Sequence, residues 1–341
     1  MTNWMAQFRG PLDSALVRCL AIVLVSNSHL DGLYPVPQLA TGGALGNALF
    51  FAASGYGLAL SYKSAPASFW AWYWQRLTRL YPAVIIVMGI FELGISHSWS
   101  PAHWTLSNYF EVFVWPTPAW FISAMLIFYA GFYPVIRLDN RAVYLWGLAI
   151  LGALYAGAYV TQVDLTRYSI EKGTRFNWIF YFGLMLLGGI LAARDSVSRA
   201  PQARDLWIAV CLLCAYFGFG YLLSRGYFTA YQFVMHLITV PLVVSVFGLS
   251  KSDWLKRNIG RSRIATGAVF LIAGVTLEIY LLQFYVYSHP VITSLPFPAN
   301  VLAFWVVLVL LAWLVATAAS WVRGLLKRQP GQIDQRRNDV R

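Results

Sequence analysis

Charge is what this chain has least of. Only 11% of its 341 residues are Asp, Glu, Lys or Arg, while 59% are hydrophobic and 17% aromatic. Soluble domains carry about 25% charged residues, so an ordinary water-soluble enzyme is excluded: too few charged side chains exist to cover one. Acid is the scarcer sign, with 13 Asp and Glu against 25 Lys and Arg, a net charge of +12. Cysteine is nearly absent. Cys19, Cys211 and Cys214 all lie in apolar stretches, where free cysteine behaves as a small hydrophobe. The Cys211-x-x-Cys214 pair has none of the polar setting of a redox or zinc motif, and no metal site is expected. The first apolar run, about Asp13 to Leu33, is too long for a signal-peptide core and lacks a small-residue cleavage site. It is expected to stay as a membrane anchor. No internal repeat and no second domain are visible.

What is abundant is the apolar run. Ten candidate spans are read at about 13–33, 42–62, 80–97, 118–136, 142–161, 175–193, 206–223, 231–249, 266–288 and 299–322, each near the roughly 20 residues a spanning helix needs. The expected fold is an all-α polytopic membrane protein of about ten helices with both termini cytoplasmic. One transmembrane domain covers 1–322 and a basic cytoplasmic tail 323–341. Asp13 is read as the cap of the first helix and Pro82 as a first-turn proline of the third. With the N-terminus inside, 20 of the 25 cations fall on cytoplasmic segments. Only Arg167, Lys172, Arg175 and Arg225 fall on outer loops, and Arg18 lies within the first span. That bias is the positive-inside signal. The cations therefore report topology, and no nucleic-acid partner is implied.

Charged and titratable groups inside spans are few: Arg18, His29, Glu92, His236 and Glu278. Each costs at least about 2.5–3.5 kcal/mol to insert and so needs a partner, a wet cavity or a task. Arg18 and His29 are eleven residues apart, about three turns plus 20°, so they share one helix face about 16 Å apart along its axis. Arginine holds phosphate or carboxylate at any relevant pH, and histidine exchanges a proton near neutrality. Alternatively Arg18 reaches lipid phosphate and His29 bonds a neighbouring helix. Arg76 and Arg79 stand three residues apart at the inner entrance of the third span and can present two forks to one anion; the alternative is a plain positive-inside cluster. In Phe50-Phe51-Ala52-Ala53-Ser54-Gly55-Tyr56-Gly57 the small residues permit close helix approach.

In order along the chain, Arg18-x10-His29, Phe50-Phe51-x-x-Ser54-Gly55-Tyr56, Arg76-x-x-Arg79-x-Tyr81-Pro82 and Glu278-Ile279-Tyr280-Leu281-Leu282 resemble the integral-membrane acyltransferase-3 family, whose members acylate sugars of bacterial surface glycans and related acceptors. The resemblance covers about residues 12 to 322. It implies a membrane-embedded O-acyltransferase, most simply an O-acetyltransferase of the bacterial inner membrane. Acetyl-CoA or another acyl-CoA would be co-substrate, and a glycan or lipid-linked sugar the acceptor. By the resemblance His29 is the catalytic histidine with Arg18 its companion, and Arg76 and Arg79 serve acyl-CoA. Glu278 or Ser54 orients His29 or neutralises charge, and Ser54 and Trp120 are placed as substrate contacts. Two positions depart from the pattern. Trp120-Phe121-Ile122-Ser123-Ala124 lacks the glutamate of many relatives, and Gln283 stands where many have histidine, so no second histidine relay is expected.

The chemistry implied is general base catalysis, with His29 taking the proton of an acceptor hydroxyl and returning it to the leaving thiolate, typically about 10²–10⁴-fold in rate. Outer-loop rings (Tyr34, Trp99, Trp104, Tyr109, Trp115) with His97 and His103 suit either a sugar platform or the aromatic belt of a membrane protein. An oligomer is allowed. The competing class is a glycan transporter or flippase, which would favour repeated halves with broken helices.

Overall fold

A computed structural model of the chain describes residues 12–96, 105–115, 119–171, 175–193 and 203–327. His97, Trp99, His103, Trp104, Lys172, Arg194, Arg199 and everything from 328 onward lie outside the described residues. The main helices are α1 (Leu12–Asn27), α2 (Gly43–Ser64), α3 (Phe69–Met88), α4 (Trp120–Leu138), α5 (Arg141–Gln162) and α6 (Phe176–Ala193). They continue with α7 (Ala203–Ser224), α8 (Val234–Ser250), α9 (Asp253–Gly260), α10 (Arg263–Gly274), α11 (Thr276–Tyr287) and α12 (Ala299–Lys327). No strand occurs among the described residues, and the protein is an all-α polytopic membrane protein.

Six helices, with bounds within a few residues of α2, α4, α5, α6, α7 and α12, are long and apolar enough to cross a membrane. Two more of the ten expected spans carry a sharp bend: α8 is followed by α9 at 57°, and α10 meets α11 at 80°. The first and third are helices as well, with different bounds from those expected. α1 has 16 residues, about 24 Å of helix against a hydrocarbon core of about 30 Å. The chain leaves the helix at Asn27, and residues 31–33 form a 3₁₀ turn.

α3 begins at Phe69, about eleven residues before the expected start at 80. Its first half, with Trp70 and Trp74 exposed and Trp72 buried, is amphipathic and escapes a reading based on continuous apolar runs. Pro82 consequently lies inside the helix, where its ring removes one backbone hydrogen bond. Asp13 likewise stands inside the first turn of α1. Its Oδ1 accepts from the Ser14 N–H at 2.9 Å, and its Oδ2 lies 3.9 Å from Lys256 Nζ. α12 continues to Lys327, so Arg323 belongs to a helix, although the sequence placed it in a tail.

The chain forms two compact units, Met1–Ala67 with Phe128–Thr276, and Ser68–Ile127 with Leu277–Arg341. In the first, burial ranks the helices. Of the most apolar stretch, 61% is buried in α2 and 50% in α6, but only 11% in α5 and 17% in α7. α2 and α6 are therefore its interior, and α5 and α7 turn most of their apolar surface outward, as lipid-facing helices do. The interior contact is made by backbone. A Cβ on Gly55 would run into the Met185 carbonyl oxygen, and one on Gly188 into that of Ala52. Small residues are what lets two membrane helices meet this closely. Around this seam Phe51 stacks on Tyr181 with centroids 5.0 Å apart, and Lys251 Nζ sits 5.0 Å over the Tyr56 ring. The second unit packs α12 against α3.

Candidate functional site

In the first unit the site is built around the end of α1. His29 is half-buried in the turn after the helix, so its direction is set by the turn and not by the helical face it was expected to share with Arg18. Its N–H donates to the Ser26 carbonyl at 3.2 Å, and Leu30 and Leu33, both buried, anchor the turn. Asn27 does most of the fixing. Its Nδ2 donates to the Leu39 carbonyl at 2.8 Å and the Thr41 carbonyl at 3.1 Å, and its Oδ1 accepts from the Tyr34 hydroxyl at 2.7 Å. Tyr34, one of the rings offered above as a sugar platform, thus commits its hydroxyl to holding the loop. Asp31 acts electrostatically on the imidazole. The same turn is pinned to α2, where Gly43 leaves room for Ser28 and Gly46 for the Ala21 carbonyl. Arg18 turns its Nε toward the Ser14 carbonyl at 3.3 Å, toward the start of α1. Ser54 is half-buried on α2 beside Gly55.

Two other polar groups of this unit have ordinary explanations. His236 Nδ1 lies 2.8 Å from the Tyr155 hydroxyl, and its ring stacks on Phe180 at 3.7 Å, which makes it a packed core histidine. Cys211 and Cys214 are free and exposed on α7.

In the second unit the charged groups converge. Arg76 and Arg79 both lie on α3, three residues apart in one continuous helix as the spacing required. Arg76 sits over the buried Trp72 ring, 5.2 Å from its centroid. Arg79 is exposed at its side chain, and its carbonyl accepts from Arg323 Nη1 at 3.3 Å. Glu278, only 5% exposed on α11, interacts electrostatically with both Arg323 and Arg79. Three helices, α3, α11 and α12, thus place two guanidiniums within electrostatic range of one buried carboxylate.

Beside it, Tyr280 of the late motif accepts from the Phe121 N–H at 3.3 Å, satisfying one of the unpaired donors in the first turn of α4. Trp120 is half-buried at that same turn, edge-on to Phe121 at 6.2 Å. Glu92 has a partner too: the Tyr285 hydroxyl donates to its Oε1. Gln283 is the exception. It is 0% exposed, and neither its Oε1 nor its Nε2 has a hydrogen-bond partner.

Arg18, His29 and Ser54 therefore belong to one unit, and Arg76, Arg79, Trp120 and Glu278 to the other. Arg323, Asn27 and Asp31 were not anticipated as site residues. Arg323 was counted as a cytoplasmic tail charge, although its place directly after a long apolar run was a usable signal. The polar string Ser26-Asn27-Ser28-His29, closing an apolar helix, was the corresponding signal for Asn27. Among the described residues, no group of three His, Cys, Asp or Glu is placed to hold a metal ion.

Comparison with curated proteins and with solved structures gave no match. Comparison with protein families matched residues 13–321 to the acyltransferase domain. That span holds every motif residue described above, and the chain belongs to the acyltransferase-3 family of membrane proteins.

Proposed function

We propose that this membrane acyltransferase moves an acyl group, most simply acetyl, from cytosolic acyl-CoA to a sugar hydroxyl of a glycan or lipid-linked saccharide at a bacterial inner membrane. The observation that carries the donor assignment is the grouping of Arg79, Arg323 and Glu278, with Arg76 one turn away on α3. Two guanidiniums within electrostatic range of one buried carboxylate present positive charge and N–H donors. That is what a diphosphate needs, and charge-assisted contacts of this kind are the strong ones.

His29 supplies the proton chemistry. Its imidazole takes the proton from the acceptor hydroxyl as the oxygen attacks the thioester carbonyl. The C–S bond then breaks, and the thiolate leaves with the proton that His29 returns. Arg18 lies within α1 and His29 in the turn that follows it, so the cation and the base are held apart along one segment. Ser54 and Trp120 remain the proposed acceptor contacts.

The test is to supply the purified full chain in liposomes with acetyl-CoA and a membrane glycan extract, reading free thiol released and glycan mass together. Thiol release with a mass increase of one acetyl group is the expected result. A glycan that changes sides of the membrane unmodified, with no thiol released, would replace this reading with the transporter.

A further inference from the structure

We propose that α9 and its flanks form a binding site for anionic phospholipid on the cytoplasmic leaflet, a property independent of the acyl-transfer reading. α9 turns 57° away from α8, and the turn is stabilised by Ser252, whose hydroxyl accepts from the Leu255 N–H at 3.1 Å. A helix leaving a span at that angle runs toward the membrane plane.

Its two faces then differ sharply. At 100° per residue, Trp254, Leu255 and Ile259 fall in one sector, and Lys256, Arg257 and Asp253 fall opposite. In the apolar sector Trp254 is 66% exposed while Leu255 and Ile259 are half-buried, and Ile264 at the start of α10 is 86% exposed. Between Lys251 and Arg263 there are five cations and one acid, Asp253. Lys256, Arg257 and Asp253 line an open cavity of about 410 Å³. Lys256 is shared with Asp13 at the start of α1, at 3.9 Å, while Arg257 and Arg261 point into exposed surface, with only the Asp253 carbonyl and the Asn258 side chain as bonded neighbours.

A free phosphate would satisfy the cations but leave the tryptophan and isoleucine in water. A nucleic acid would do the same. An acidic headgroup over an acyl chain covers both kinds of surface, which is the logic of interfacial amphipathic helices. Each cation at such a surface strengthens binding by roughly fivefold.

The experiment compares lipid retained by the purified full-length protein in mixed phosphatidylcholine and phosphatidylglycerol micelles, read by native mass spectrometry, for wild type and variants. Arg257→Gln with Arg261→Gln is expected to lower retained phosphatidylglycerol by at least about tenfold without changing phosphatidylcholine, and the corresponding Lys variants are expected to keep it. Trp254→Ala lowers retention of both lipids. Millimolar inorganic phosphate leaves the bound lipid in place. The proposal is overturned if the Gln pair retains as much phosphatidylglycerol as wild type. It is equally overturned if neutralising Lys63 and Arg141 costs as much, or if phosphate alone displaces the lipid.

Discussion

The two units hold their candidate site residues by opposite means. In the first, His29 is placed by backbone: a turn closed by carbonyls, an asparagine bridging to two more, and helices so close that glycine alone fits between them. In the second, Arg79, Glu278 and Arg323 are gathered by three helices and interact through charge, with one bond among them, from Arg323 Nη1 to the Arg79 carbonyl. A base must meet a proton within hydrogen-bond reach, and an error of 1 Å costs about 10²-fold, so rigid placement suits it. A cation holding phosphate tolerates displacement, because Coulomb attraction falls slowly with distance. Placement by backbone should therefore fail abruptly under mutation, and placement by charge gradually.

The comparison can be broken most directly at His29. His29→Ala should lower transfer by about 10²–10⁴-fold with unchanged expression and melting temperature, and a variant of near-normal rate would remove the imidazole from the reaction. Next in size, Arg79→Gln and Arg323→Gln should each weaken acyl-CoA binding by roughly tenfold or more, at about 1.5–3 kcal/mol for a charged hydrogen bond, while leaving acceptor affinity alone. Because both arginines face Glu278, the double variant should fall short of the product of the single effects. Titration calorimetry with acyl-CoA reads this, and full additivity would show that the two do not act on one ligand.

Gly55→Ala should destabilise the first unit by about 1–3 kcal/mol, seen as a lower melting temperature in detergent, whereas Gly57→Ala, with open space around its Cβ position, should be silent. Asn27→Ala should cost about 1–2 kcal/mol of local stability. It should also cut the turnover rate more than the acyl-CoA affinity. The reverse pattern would contradict placement of His29 by the turn.

Much of this architecture was legible in the sequence, because hydrocarbon demands long apolar runs, and eight of the ten runs fall on helices, or bent helix pairs, long and apolar enough to cross a membrane. The missed start of α3 has a physical cause. The first half of α3 is amphipathic, so its start and the interior position of Pro82 leave no continuous apolar signal. Candidate site residues stood out in the sequence where charge is rare in hydrocarbon, as with Arg18, His29 and Glu278. They did not stand out where a residue has an ordinary second explanation. Arg323 served the positive-inside count, and Asn27 looked like the polar end of any helix. The electrostatic interaction of Glu278 with Arg323, 45 positions later, is long-range, and no local period encodes it.

Gln283 carries a consequence for engineering. A wholly buried carboxamide with neither atom bonded makes the fold less stable than an apolar side chain of the same size would. Gln283→Leu is therefore expected to raise the melting temperature, by the equivalent of about 1–3 kcal/mol. A selection for thermal robustness alone would discard this glutamine early, and measuring transfer in the survivors would show whether robustness and turnover pull the position in different directions.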